Sequence, residues 1–493
     1  MGTPSEIIRR TRDEVGSDGE AAVVARPTRR PAVRLKVRKY KALQRSDIDQ
    51  MPRLDVLSAE DRIAMKAVSA VLPFRTNPYV VDELIRWDAI PDDPIYQLTF
   101  PQPGMLDPAD LATMVDLVRK GASEAVIQAS ARIIQASMNP HPAGQRELNV
   151  PRVDGRPLPG MQHKYRETVL FFPSQGQTCH AYCTYCFRWA QFVGLDELRF
   201  ASNEVEGLVR YLEEHQEVSS VLFTGGDPMI MRTPILRRYL EPLLDPTLEH
   251  ITSIRIGTKA PAYWPHRFST DKDADDLLRL FESIVHAGKN LALMAHYSHP
   301  RELETAAAQD ALRRIRDTGA VVRCQAPLIR RVNDDAKIWA DMWRLQVQLG
   351  AVPYYMFVER DTGPKDYFSV PIARACEIYR DALTQVSGLA RTVRGPSMSA
   401  TPGKVVVDGM ARIGSEDIFV LRFLQARNPD WVGRPFFARF DAKAIWLDQL
   451  RPLPPDEHFF FEPELAAMLE DGAKVAGAVE RSRPVIFGHV EWE

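Results

Sequence analysis

At 493 residues the chain can bury one large core or build two to three domains, and its net charge of −2 argues against a globally basic nucleic-acid binder. With 45% hydrophobic and 26% charged residues it has the composition of a folded soluble protein rather than a disordered one, and no apolar run approaches the ~20 residues of a transmembrane helix. Five cysteines do not make a disulfide framework, and the N-terminus lacks the charged start and apolar core of a signal peptide.

Residues 1–45 read as a flexible arm: acidic first, then a basic, Pro-interrupted run through Arg26, Arg29, Arg30, Arg34, Lys36, Arg38, Lys39, Lys41 and Arg45. Such a run is more often a solvated segment than a nucleic-acid contact. Val33, Leu35 and Val37 alternate with charges, which also suits a short strand packing on a partner subunit. Residues 46–163 form a helical N-terminal section, with apolar residues at three-to-four spacing from Asp61 to Leu72, Pro108 to Val118 and Ala122 to Met138. Its last part, 139–163, is a Pro/Gly-rich linker, and the section shows no chemistry of its own.

From 164 to 390 short apolar runs alternate with amphipathic stretches. The runs begin at Thr168, Ser219, Ile251, Asn290, Ala320 and Val352, and helix-length segments are predicted over 203–216, 274–287, 301–318, 335–349 and 371–388. Apolar strands that alternate with helices predict an α/β fold with a parallel sheet covered by helices. Six units are fewer than the eight of a closed barrel, so the expectation is a partial (β/α)6 barrel with its chemistry at the carboxyl ends of the strands. Residues 391–493, with strand-like runs at Lys404–Asp408 and Ile418–Leu424 and an aromatic His458-Phe-Phe-Phe segment, are expected to cap the open side.

Directly after the first predicted strand stands Cys179-His-Ala-Tyr-Cys183-Thr-Tyr-Cys186-Phe-Arg188. Three thiolates at this spacing can ligate three irons of a [4Fe–4S] cluster, whose full protein ligand set is usually four cysteines. The fourth iron would stay open to hold S-adenosylmethionine (SAM) by its amino and carboxylate groups. A zinc site would need a fourth ligand such as His163 or His180, and a Cys183/Cys186 redox pair would leave the third cysteine unexplained. Such a cluster needs a reducing compartment, so the expected location is the cytoplasm. Cys324 and Cys376 lie alone in apolar runs and read as buried packing residues. After the second strand comes Phe223-Thr-Gly-Gly-Asp227-Pro, where Gly225 and Gly226 allow close backbone approach and Asp227 offers a carboxylate to an ammonium. That makes it a candidate SAM site.

With Tyr185 in place, the cysteine spacing resembles the radical-SAM signature, and the wider set of motifs resembles the lysine 2,3-aminomutase family of radical-SAM enzymes. The matching segments are Leu158–Tyr165, Ile254–Pro261, Ala295–Pro300, Gln325–Asp334 and Pro353–Phe357, within a likeness spanning roughly residues 60 to 405. The resemblance implies a [4Fe–4S] cluster on Cys179, Cys183 and Cys186, SAM, usually pyridoxal 5′-phosphate (PLP), and an electron donor of flavodoxin or ferredoxin type. It implies migration of the 2-amino group of an amino acid to carbon 3, begun by a 5′-deoxyadenosyl radical that takes hydrogen from that carbon. By the same resemblance Arg188 would hold the substrate carboxylate, Gln325 would touch SAM, Lys164 and Tyr165 would contact PLP, and Lys404 would carry it as a Schiff base. A catalytic Lys404 would need a deprotonated amine on a Gly/Pro-shaped loop over the barrel mouth.

Three departures bear on the substrate and the assembly. The family has a longer glycine run before its lysine, whereas only Gly403 precedes Lys404 directly. Lysine-specific members place aspartates over the barrel for the distal ammonium; by ungapped counting Arg360 and Ser397 stand there instead, although one inserted residue would substitute Asp361. An inward Arg360 would favour an acidic amino acid such as glutamate, and a surface Arg360 would pair with Glu359 or Asp361. The family's C-terminal zinc-binding cysteines have no counterpart, which leaves a homo-oligomer open. A PLP-independent radical-SAM enzyme acting on another small molecule, protein or RNA stays open, as does a zinc-stabilised RNA-binding protein.

Overall fold

A computed structural model of the chain describes residues 37–140, 148–194 and 200–470. Much of the expected basic arm (Arg26, Arg29, Arg30, Arg34, Lys36) lies outside the described residues, as do Val33 and Leu35. The rest of the expected arm, from Arg38 to Arg45, is docked on the fold. Arg38 pairs with Asp82 and Glu83 at 3.0 Å each, Arg45 pairs with Glu124 at 3.0 Å, and the Tyr40 hydroxyl donates to the His180 carbonyl at 3.0 Å.

The N-terminal helical section contains α1 (Ala59–Val71), α2 (Pro108–Arg119) and α3 (Glu124–Ser137). Their starts follow from capping chemistry: the Ser58 hydroxyl accepts from the Asp61 N–H and the Asp107 carboxylate from the Ala109 N–H. The three helices pack together, and Met65, Val68, Met114, Ile127 and Ile134 close the seam between them.

The remainder is organised by one sheet of eleven strands. An antiparallel edge strand, β1 (Met161–Tyr165), pairs with β2 (Thr168–Phe171). Parallel strands come next: β3 (Ser220–Phe223), β4 (Ser253–Thr258), β5 (Asn290–His296), β6 (Val321–Leu328) and β7 (Val352–Val358). Helices α4 (Val205–Glu214), α5 (Thr233–Leu240), α6 (Ala274–His286), α7 (Ala306–Asp317), α8 (Ala336–Gln348) and α9 (Ile372–Thr384) alternate with these strands. The predicted 301–318 helix is split at Thr305, whose hydroxyl accepts from the Ala308 N–H and starts α7 there.

Burial in β4 shows why alternation, not a solid apolar run, serves a barrel wall. Ile254, Ile256 and Thr258 are buried, while Ser253, Arg255 and Gly257 on the other face are only partly covered. Each apolar residue fully buried in this way contributes about 1.5–3 kcal/mol.

The C-terminal region is a continuation of the sheet rather than a separate cap. β8 (Arg394–Ser399) pairs parallel with β7 as a seventh parallel strand, and β9 (Gly403–Ile413), β10 (Glu416–Ala426) and β11 (Pro435–Arg439) continue antiparallel. Its own core gathers Phe419, Phe423, Trp431 and Phe436 with the expected aromatic segment, Phe459 and Phe461.

Candidate active site

The loop after β2 carries the three cysteines and is pinned from the N-terminal section. The Tyr182 N–H donates to the Arg75 carbonyl and the Thr184 N–H to the Leu98 carbonyl. Asn77, fully buried, donates through Nδ2 to the carbonyls of His180 at 3.1 Å and Tyr263 at 3.0 Å. The helical section therefore holds the cysteine loop, a role its sequence does not disclose. Cys179, Cys183 and Cys186 lie within electrostatic reach of one another, and burial pushes all three thiols up, Cys186 to about 12. Thiolates gathered in this way need a cationic centre to offset their charge. Among the described residues no group of three or more His, Cys, Asp or Glu side chains is placed to hold a single metal ion. His163 is engaged elsewhere, with the Tyr211 hydroxyl at 2.6 Å and the Arg166 carbonyl at 3.0 Å. Three cysteines with no histidine at hand as a fourth ligand, among the described residues, are the ligand set that leaves one iron of a [4Fe–4S] cluster open.

Gly225 and Gly226 run against this loop. A side chain on Gly225, at φ +146°, would collide with Gln177 Nε2, and one on Gly226 would meet the Thr178 N at 2.5 Å. Asp227 is buried, and its carboxylate accepts from the Thr258 hydroxyl (2.7 Å), the Lys259 N–H (2.8 Å) and the Met229 N–H (2.9 Å). Burial still raises its pKa to about 6. These three bonds anchor the carboxylate beside the Gly225–Gly226 turn.

At the carboxyl ends of β4 and β5 lies a network absent from the sequence-based site. Lys259, largely covered, pairs with the fully buried Glu302 at 2.8 Å, and its Nζ donates to the Ser298 hydroxyl at 3.2 Å. The Tyr185 hydroxyl meets Ser298 Oγ at 3.1 Å, and the Cys183 thiol lies 3.8 Å from the Tyr263 hydroxyl. Gln325 Nε2 lies 2.8 Å from His296 Nε2, and burial with Lys259 nearby lowers the His296 pKa to about 3. His296 is therefore a neutral partner at working pH. Lys259 and His296 both sit in the segments quoted for the family likeness, and that was the available signal.

Lys404 is not on a loop: it is the second residue of β9, opposite Gln425 on β10 and Ser399 on β8. Its single preceding glycine is required by crowding, because a Cβ on Gly403 would collide with the Gln425 carbonyl oxygen. The Lys404 ammonium sits 4.4 Å from the Tyr355 ring centroid and 5.7 Å from that of Phe357. Burial, with Arg255 and Arg394 nearby, lowers its pKa to about 7. Lys164 lies within electrostatic reach, donates to the Ala400 carbonyl, and is pushed well below the ordinary lysine value by burial and by Arg427, Arg360 and Lys404. Its Nζ lies 5.5 Å from the ring centroid of Tyr165, whose pKa burial raises.

Arg188 is buried, with its guanidinium 4.1 Å from the Phe172 ring centroid, and burial lowers its pKa to about 9. Arg360 turns inward. Its guanidinium lies 5.4 Å from the Phe187 ring centroid and 5.6 Å from that of Trp446, within electrostatic reach of Tyr165, Lys164 and Arg188. Its contact with Asp361 is a loose 3.9 Å, and Nε and Nη2 are buried without hydrogen-bond partners. The buried Ser397 hydroxyl is likewise without a partner. Ser397 is in register with Phe357. Cys324 and Cys376 are buried among apolar neighbours.

A provisionally named L-lysine 2,3-aminomutase of Aquifex aeolicus is 31% identical to this chain over 401 residues, covering 81% of this chain and 93% of that protein. The L-lysine 2,3-aminomutase of Escherichia coli is 27% identical over 251 residues, covering 51% of this chain and 69% of that one. Among solved structures, a radical SAM methyltransferase from Sphaerobacter thermophilus matches 48% of this chain and 68% of its own at a TM-score of 0.34 and 16% identity. No family model matches the sequence.

Proposed function

The chain belongs to the lysine 2,3-aminomutase family of isomerases, and on that premise we propose a radical-SAM, PLP-dependent 2,3-aminomutase whose substrate is an acidic amino acid. Lys404 is the observation that carries the reading. An amine about half neutral at pH 7, held over two aromatic rings, has the chemistry needed to condense with a pyridoxal aldehyde. Cys179, Cys183 and Cys186 would hold a [4Fe–4S] cluster and the Gly225–Gly226 loop with Gln325 would hold SAM. When bound, cluster and SAM supply hydrogen abstraction, and PLP supplies the π-system across which nitrogen moves.

The chain's own residues supply position and charge. Arg188, buried and without a carboxylate partner among the described residues, offers a planar fork to the substrate α-carboxylate. Arg360 offers two unpartnered N–H groups to a side-chain carboxylate. An ammonium side chain there would meet the Arg360 and Arg427 guanidiniums, with Asp361, loosely placed 3.9 Å from Arg360, as the nearest counter-charge, a largely like-charge arrangement that low local dielectric makes costly. The neutral His296 holds the Gln325 amide, and the Phe187, Tyr355 and Phe357 rings lie against Arg360 and Lys404.

The test is product analysis on anaerobically reconstituted enzyme with SAM, PLP and reductant, offered glutamate, aspartate and lysine separately. The expected result is a 3-amino acid from an acidic substrate and little from lysine. Efficient turnover of lysine with none of the acids would overturn the substrate assignment.

A further inference from the structure

The amino ends of the barrel strands form a second polar centre, away from the cysteine loop. Arg255 on β4, Arg323 on β6 and Arg394 on β8 converge on a cavity of about 270 Å³, with Thr168, Ser220 and Ser253 on its rim. No carboxylate among the described residues lines it. Among the described residues none of the three arginines has an ion pair. The Arg323 and Arg394 guanidiniums are propped on the Tyr354 ring, 5.3 Å and 4.8 Å from its centroid. Arg255 donates weakly to the Thr168 hydroxyl at 3.4 Å, and its Nε is buried without a hydrogen-bond partner. Three converging guanidiniums repel one another unless an anion joins them, and planar forks with several free donors suit a phosphate.

The cavity is also close to Lys404. Arg394 lies 4.9 Å from the centroid of the same Tyr355 ring over which the Lys404 ammonium sits at 4.4 Å, so the two groups are no farther apart than those distances together. A pyridoxal joined to Lys404 carries its phosphate on a short arm from the ring carbon next to the one bearing the aldehyde carbon, a reach that falls within that upper limit.

We propose that Arg255, Arg323 and Arg394 seat a phosphate monoester dianion on the barrel floor, filled in the holoenzyme by the phosphate of the pyridoxal carried on Lys404. The inference rests on Lys404 being the pyridoxal-bearing lysine. It gives the floor a binding role, where a purely structural triad would only plug the barrel through its aromatic contacts.

The experiment titrates full-length, cluster-containing protein with PLP and with pyridoxal, which lacks the phosphate, and follows the absorbance of the lysine adduct. Arg323→Gln and Arg394→Gln should each weaken PLP about tenfold while changing pyridoxal far less, Arg394→Gln only through its modest effect on the Lys404 amine. Arg394→Lys, which keeps the charge, should lose less and guards against misfolding of the glutamine variant. Unchanged PLP affinity in both glutamine variants would overturn the seat, as would equal losses for PLP and pyridoxal. Inorganic phosphate calorimetry on wild type and the Arg323→Gln/Arg394→Gln double variant separates the two assignments. If wild type forms no lysine adduct, the Lys404 reading fails. Phosphate binding lost in the double variant would still uphold the floor as a seat for another phosphate ester, and no phosphate binding in wild type would remove it.

Discussion

The cations behind the cysteine loop, at the ends of β4 and β5, and those around Lys404 are treated oppositely by the same barrel. Behind the loop three covered cations have carboxylates within the chain, Lys259 with Glu302 at 2.8 Å, Arg267 with Asp273 at 3.0 Å and Arg301 with Asp93 at 2.5 Å, while Arg75 rests against the Tyr182 ring instead. Around Lys404 the buried or half-buried cations, Arg188, Arg255, Arg323, Arg360 and Lys164, have aromatic rings and carbonyls for company and at best the loose Asp361 contact. Breaking a buried pair costs about 3–5 kcal/mol, so the paired side is a rigid scaffold. The unpaired side lacks such counter-charges, and on the reading proposed above anionic ligands would supply them.

The largest expected break falls on the scaffold side. Cys183→Ala should abolish cluster-dependent SAM cleavage and lower bound iron and labile sulfide, and retained cleavage would defeat the cluster assignment. On the unpaired side, Arg360→Asp should shift preference from acidic toward basic amino acids by about 10–100-fold in relative kcat/KM. An unchanged preference would place Arg360 outside the substrate's reach. Asn77→Ala removes donors to two buried carbonyls and should cost about 2–3 kcal/mol, read by denaturant unfolding, with poorer cluster retention.

A smaller effect sharpens the contrast through pH. Because burial and neighbouring arginines lower the Lys404 pKa, the neutral, reactive fraction rises as pH rises through about 7 rather than through the ordinary lysine range. Adduct formation with pyridoxal should therefore show its midpoint near 7. Arg394→Gln should move it up only modestly, since burial is the leading cause. The smallest effect belongs to the surface: Arg38→Ala breaks the pairs with Asp82 and Glu83 and should cost under about 1 kcal/mol.

The barrel strands were legible because their runs carry apolar residues at the spacing a wall demands, and Cys179, Cys183 and Cys186 because their spacing is local. The features hidden from the sequence are long-range. Asn77 holds a loop 103 residues away, and no pattern near Asn77 signals that. Asp227 reads as an acceptor in a Gly-Gly-Asp turn, and its bonds to Thr258 and Lys259 come from the next strand, beyond any local pattern. Lys404 reads as a loop residue after Pro402 and Gly403, but pairing with β10 draws it into a strand. Arg360 could not be turned inward by counting, since its neighbours Glu359 and Asp361 offered equal partners on the surface. The C-terminal residues read as a cap because antiparallel pairing partners cannot be matched from one chain's periodicity, whereas β8 in fact prolongs the parallel sheet.

The most direct test of the central claim is borohydride reduction of anaerobically purified protein incubated with PLP, followed by peptide mapping. A pyridoxyl group on Lys404 is the predicted result. An intact cluster with no pyridoxyl group, or one placed on Lys164 instead, would contradict the account.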